Sequence, residues 1–220
     1  MKIFTNTLFL TLALLFVGSP ATANPLTPLA VAEKLQQTYN KTTTLTADFR
    51  QLSSMRMQRR QRQGSGTLTL HKPGRIRWNY LQPDRQVLIS NGDTVKMYFA
   101  KTSQMMVMPS DRYLNSDVTY AFFVGNGDIC RDFEIHAPDA APFLSDGQYC
   151  IKLIPKETHP QLSYLHLWVS NSTWLVERIQ LVDQLSSITD LFFTNIITNK
   201  PVADGTFDFT PPPNTEIIEQ

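Results

Sequence analysis

Four histidines, two cysteines and 19 carboxylates are the residues of this chain best suited to chemistry, and their spacing decides which chemistry is open to them. His71, His136, His159 and His166 are scattered, and none has a partner at metal-ligand spacing. There is no H-E-x-x-H helix, no G-x-S-x-G elbow and no phosphate loop. Gly125-Asn-Gly-Asp128 has too few glycines and no following lysine for a nucleotide site, so it reads as a helix cap and turn. No catalytic residue, metal ligand or cofactor is therefore expected. Cys130 and Cys150 lack the spacing of a redox pair or a zinc site. The segments around them, Ile129–Ile135 and Tyr149–Ile154, read as strands flanking a loop of Pro, Asp, Ser and Gly. A hairpin centred near residue 140 would set Cys130 opposite Cys150 and allow a disulfide. Closing a loop of that size is worth about 3 kcal/mol. The alternative is a pair of free, buried thiols.

With catalysis set aside, the informative chemistry is apolar surface. From Gly66 to Tyr98 the chain turns at Lys72-Pro-Gly-Arg75, Gln82-Pro-Asp84 and Asn91-Gly-Asp93, residues that preset φ or tolerate positive φ. Leu68 and Leu70 alternate with Thr67 and Thr69, and Ile76, Trp78 and Tyr80 alternate with Arg75, Arg77 and Asn79. That period of two describes an antiparallel sheet with one apolar, aromatic face that a core or a ligand must cover. Lys72 falls on the same face as Leu68 and Leu70, at the rim. Arg56, Arg59, Arg60 and Arg62 crowd the connection between the first two strands. They read as a solvated hairpin loop, or as a docking loop for an acidic partner surface or lipid headgroups.

The elements carrying this face sit in an exported chain. Lys2 is the only charge before Glu33, Leu8 to Val17 are mostly apolar, and Ala21-Thr-Ala23 fits a cleavage site. This is the pattern of a signal peptide over residues 1–23; the apolar run is too short to span a membrane. The domain expected after cleavage is residues 24–220. Without Lys2 its basic and acidic residues balance at 19 each, which gives no electrostatic pull toward nucleic acid. The 42% hydrophobic content fits a packed core rather than disorder.

Thr27 and Pro28 cap a helix whose Val31, Leu35 and Tyr39 form one stripe. Thr44–Gln51 reads as the first strand, and Asp117–Val124 as a short apolar helix ending at Gly125, with a strand as the alternative. Strands follow near 129–135, 149–154, 162–169, 174–182 and 188–196. Phe207 and Phe209 alternate in a last strand that Pro211-Pro-Pro213 ends. About ten or eleven strands with two or three short helices make a mainly β fold, one curved sheet or incomplete barrel with helices against one face.

The ordered set Thr46-Ala-Asp-Phe-Arg-Gln51, Gly66-Thr-Leu68, Lys72-Pro-Gly-Arg-Ile-Arg-Trp-Asn-Tyr80, Gln82-Pro-Asp84 and Ser90-Asn-Gly-Asp93 resembles the periplasmic outer-membrane lipoprotein carrier family (LolA). So does the tail, Phe193-Thr-Asn195, Asn199 and Phe207-Asp-Phe-Thr-Pro-Pro212. The resemblance implies a single curved antiparallel sheet, a half β-barrel with a lid of short helices over its concave face. It implies a periplasmic, monomeric carrier with no enzymatic activity and no cofactor. Such a carrier takes lipid-modified proteins by their acyl chains from an inner-membrane ABC transporter to an outer-membrane acceptor.

Under that resemblance, Leu35, Leu68, Leu70, Ile76, Trp78, Val95, Met97, Phe122 and Phe123 are the lipid-binding candidates. Lys72 stands where the family has a lid-latching arginine. It keeps three donors but lacks the planar fork. Two other readings share the architecture: a lipid-sensing regulatory module, which usually carries a second domain, and a carrier for another lipid such as a glycolipid. The length after residue 23 favours the carrier over the regulator.

Overall fold

The computed structural model describes residues 26–55, 60–114, 127–140 and 144–219. The chain opens with helix α1 (Pro28–Lys41), which starts where Thr27 Oγ1 accepts a hydrogen bond from the Ala30 amide at 3.2 Å. Its Val31, Leu35 and Tyr39 stripe is buried. Six strands follow: β1 (Thr44–Met55), β2 (Arg60–His71), β3 (Arg75–Gln82), β4 (Gln86–Asn91), β5 (Thr94–Phe99) and β6 (Gln104–Pro109). Two short helices, α2 (Ser110–Leu114) and α3 (Ile129–Asp132), flank a segment outside the described residues. The chain then forms β7 (Phe133–His136), β8 (Gln148–Pro155), β9 (Tyr164–Ser170), β10 (Val176–Val182), β11 (Ile188–Thr198) and β12 (Glu216–Glu219).

All twelve strands join one sheet in the order β12-β6-β5-β4-β3-β2-β1-β11-β10-β9-β8-β7. The fold is thus mainly β, an open curved sheet with a few short helices. It is mixed rather than purely antiparallel, because β12 pairs parallel to β6. Pairing register keeps one apolar face continuous. Ala47 pairs with Leu68, Leu68 with Trp78, Trp78 with Leu88, Leu88 with Met97 and Met97 with Met106. On the other side Phe49 pairs with Phe193, and Leu191 with Ile179. The main core lies on this face and joins Leu35 of α1 to Leu70, Ile76 and Val95, while α1 itself packs mainly on α3, β7 and β8.

Three expectations about the chain are corrected. Residues 129–132 are helix, because Asp128 Oδ1 accepts from the Arg131 amide at 2.8 Å and caps a turn there. Only Phe133–His136 is strand, and its register with β8 sets His136 opposite Lys152. The hairpin is therefore centred about four residues later than 140. Cys130 sits on α3, Cys150 pairs across β9 with Trp168, and both cysteines are free. The last correction concerns Phe207 and Phe209, which are not in a strand. Arg77 Nη1 donates to the Thr206 and Asp208 carbonyls at 2.8 and 3.2 Å, and Phe209 packs on Tyr98 with ring centroids 5.4 Å apart. Side chains, not a neighbouring strand, hold this segment across the outer face, over a second small core of Val87, Ile89, Tyr98 and Met105. The three prolines then lead into β12 instead of ending the sheet. The expected helix at 117–124 lies outside the described residues.

The thiols give a direct check of the corrected register. Burial is the main cause of a raised pKa in both, to about 11 for Cys150, so little thiolate forms near neutrality. The native protein should carry its full reduced mass. Cys150 should alkylate more slowly at pH 8 than an ordinary thiol and speed up as pH approaches 11. An intact mass two hydrogens lower would restore the disulfide.

Candidate binding site

The concave face is filled at one end and open at the other. At the filled end, Leu45, Leu70, Ile76 and Val95 belong to the same core as the α1 stripe and are at most 4% exposed. The C-terminus of α1 is tied down there. Lys72 Nζ donates to the Tyr39 carbonyl, and the Lys72 amide donates to the Thr43 carbonyl at 2.8 Å. A cation at a helix C-terminus meets the negative end of the helix dipole. Desolvation lowers the Lys72 pKa, as expected for an ammonium half withdrawn from water.

Some six residues further along β1, about 20 Å at strand rise, the trough opens into a recess of about 640 Å³. That volume falls in the range of small-molecule sites, about 300–1,000 Å³. Its floor is Trp78 and Tyr80 of β3, Leu88 of β4, Leu181 of β10 and Leu191 of β11. Tyr113 of α2 closes one wall. The 159–162 loop and the β10–β11 turn fold over the other side, where Gln184 Nε2 donates to the carbonyls of His159 at 3.2 Å and Leu162 at 3.1 Å.

Trp78 is 7% exposed and is held edge-on by Phe49 at 5.3 Å and Phe193 at 6.3 Å between centroids. These aromatic contacts fix its ring as a wall. Above the floor runs a chain of polar side chains. The Tyr80 hydroxyl donates to Gln51 Oε1 at 2.7 Å, Gln51 Nε2 donates to Ser53 at 2.9 Å, and Ser53 Oγ meets Thr189 Oγ1 at 3.1 Å. Burial pushes the Tyr80 phenol up to about 12, so it stays a neutral donor. The recess is thus apolar at its base, with linked hydroxyl and amide groups above it.

Among the lining candidates, Trp78 is in this wall. Leu35, Leu68, Leu70, Ile76 and Val95 are not; they form dry core at 0–3% exposure. Alternation assigned their face correctly, but position along the strand decides whether packed core or open space covers them. Met97 is partly buried against the core beside Leu88. Phe122 and Phe123 lie outside the described residues. The lining residues that sequence reading missed, Leu88, Leu181 and Leu191, share the inward alternation of strands already recognised. Register across the sheet was the missing information.

Comparison with known proteins bears on the family and the fold. The family described as outer membrane lipoprotein carrier protein LolA matches residues 40–210. An outer-membrane lipoprotein carrier protein of Nitrosomonas europaea is 29% identical over 195 residues, covering 88% of this chain and 92% of that protein. One of Azotobacter vinelandii is 28% identical over 208 residues, 94% of this chain and 95% of that protein. Among solved structures, an uncharacterized conserved protein of Thermus thermophilus aligns with a TM-score of 0.55 at 11% identity, over 87% of this chain and 98% of that one. That likeness speaks to the fold. With a family match spanning most of its length and a sheet that opens into an apolar recess, this chain belongs to the outer membrane lipoprotein carrier protein LolA family.

Proposed function

We propose that the recess floored by Trp78, Leu88, Leu181 and Leu191 takes acyl chains of lipoproteins in the periplasm. We propose further that the protein receives them from an inner-membrane ABC transporter and delivers them to an outer-membrane acceptor. The observation that carries this reading is an apolar floor beneath a hydrogen-bonding mouth. Acyl chains need area without polar partners, whereas ester and amide linkages need donors and acceptors where the chains emerge.

Burying about ten methylenes at about 0.8 kcal/mol each yields about 8 kcal/mol, a micromolar affinity before ordering costs. Those costs keep binding reversible, as a carrier requires. Residues 1–23 serve as the export signal in this reading. The relatives matched over nearly their full length carry the carrier name, so a regulatory module is not favoured.

The test is release of outer-membrane-directed lipoproteins from spheroplasts by the purified protein, with identification of what copurifies. Stoichiometric release supports the carrier. A different copurifying lipid, such as a glycolipid, with no lipoprotein release would replace the cargo.

Lys72 is proposed as the latch that holds α1 over the trough. Lys72→Leu should lower stability by about 1 kcal/mol, the worth of one hydrogen bond, and should speed hydrogen exchange at the last turn of α1. Lys72→Arg should retain protection. Unchanged exchange in Lys72→Leu would reduce Lys72 to a turn residue.

A further inference from the structure

The register of the sheet sets a charged group near each end of a row of residues that starts in the recess lining and runs out across the neighbouring strands. Leu181 of β10 pairs with Thr189 of β11, Thr189 with Ser53 of β1, and Ser53 with Arg62 of β2. All four positions lie on the concave face. Arg62 is exposed and makes no ion pair among the described residues. At the far end, just past Leu181, Asp183 lines the recess, its Oδ1 accepting from the amides of Leu185 and Ser187 at 2.8 and 2.7 Å. Between the charges run the linked hydroxyls of Ser53 and Thr189.

Three strand spacings separate β10 from β2, so the row is about 14 Å long. That is the length of about four extended residues. A single phosphate headgroup cannot span it, and a second anion at the Asp183 end is repelled. A peptide fits both its length and its hydrogen-bonding middle.

We propose that the peptide following the acylated residue of the cargo lies across the mouth along this row, with an acidic side chain on Arg62. The proposal rests on the acyl-chain reading of the recess and adds that the carrier senses peptide charge.

The test uses lipopeptides with one common diacyl anchor and acidic, neutral or basic peptides of five residues. Phosphatidylglycerol vesicles serve as competitor, in low salt because screening weakens exposed pairs. The native protein should bind the acidic lipopeptide about 3- to 5-fold tighter than the neutral one, as an exposed ion pair allows. Arg62→Gln should remove that preference, and Arg62→Glu should transfer it to the basic lipopeptide.

A preference that survives in Arg62→Gln, or equal affinities in the native protein, overturns the proposal while leaving acyl binding intact. Phosphatidylglycerol competing as well as the acidic lipopeptide, and only when Arg62 is present, also overturns it in favour of a headgroup site. Failure of the native protein to bind even the neutral lipopeptide overturns the acyl-chain reading and this proposal with it.

Discussion

Trp78→Glu should weaken acyl binding by at least about 100-fold while the protein remains folded, since an uncompensated carboxylate in apolar surroundings costs several kcal/mol. The site is demanding because Trp78 is both wall and scaffold. It pairs with Leu68 and Leu88 across the sheet and touches Phe49 and Phe193 edge-on. Removing its ring also forfeits packing, worth about 3–5 kcal/mol for a large aromatic side chain. Trp78→Leu separates the two effects. It loses a comparable share of packing but keeps an apolar wall, so it should bind a lipopeptide within about 10-fold of native if area alone governs affinity. Titration with a fluorescent lipopeptide reads both variants, and thermal unfolding shows that they are folded. A folded Trp78→Glu protein that binds and releases lipoprotein at native levels would remove Trp78 from the site.

Gly66→Ala should cost at least about 3 kcal/mol, placing it in the severe tail of single substitutions. Gly66 faces Tyr80 across β2 and β3, next to an irregularity in register at Ser65. A Cβ built on Gly66 would stand 1.7 Å from the Asn79 carbonyl oxygen and 3.1 Å from the Phe49 ring. Backbone cannot yield as the end of a flexible side chain can, so β2 and β3 must part. These strands carry Leu68, Leu70, Ile76 and Trp78, and their separation would open the core and the recess wall together. Urea unfolding monitored by tryptophan fluorescence measures the loss. A midpoint equal to native would mean that the two strands do not approach as described. Thr67→Ala, one residue away on the other face, should change stability by less than about 1 kcal/mol.

Period-two alternation and turn residues made the sheet legible from the sequence, and Thr27-Pro28 with its stripe made α1 legible. Local signals of this kind fix which face a side chain occupies. They do not fix how far along the trough it lies, which is why Leu68, Leu70 and Ile76 looked like Trp78 yet sit in dry core. The same gap misplaced Cys130. An aspartate that caps one helical turn and a hairpin centre shifted by about four residues are enough to undo a pairing inferred from spacing. Phe207 and Phe209 alternate as a strand would, but Arg77 and Lys96 take the carbonyls of that segment, at distances up to 3.4 Å, from 113 or more residues away. Nothing nearby in sequence records that long-range satisfaction. Lys72, by contrast, was placed at the rim by alternation alone, and its ammonium does reach the last turn of α1.

Photolabelling with the unaltered protein tests the central claim most directly. A lipopeptide carrying a photoactivatable group near the end of one acyl chain would be bound, irradiated and digested, and the labelled residues identified by mass spectrometry. Acyl insertion into the recess predicts adducts on Trp78, Leu88, Leu181 and Leu191, saturating at one lipopeptide per protein and removed by excess unlabelled lipopeptide. Saturable adducts confined to the outer face around Trp168 and Phe192, with none on the recess floor, would contradict it.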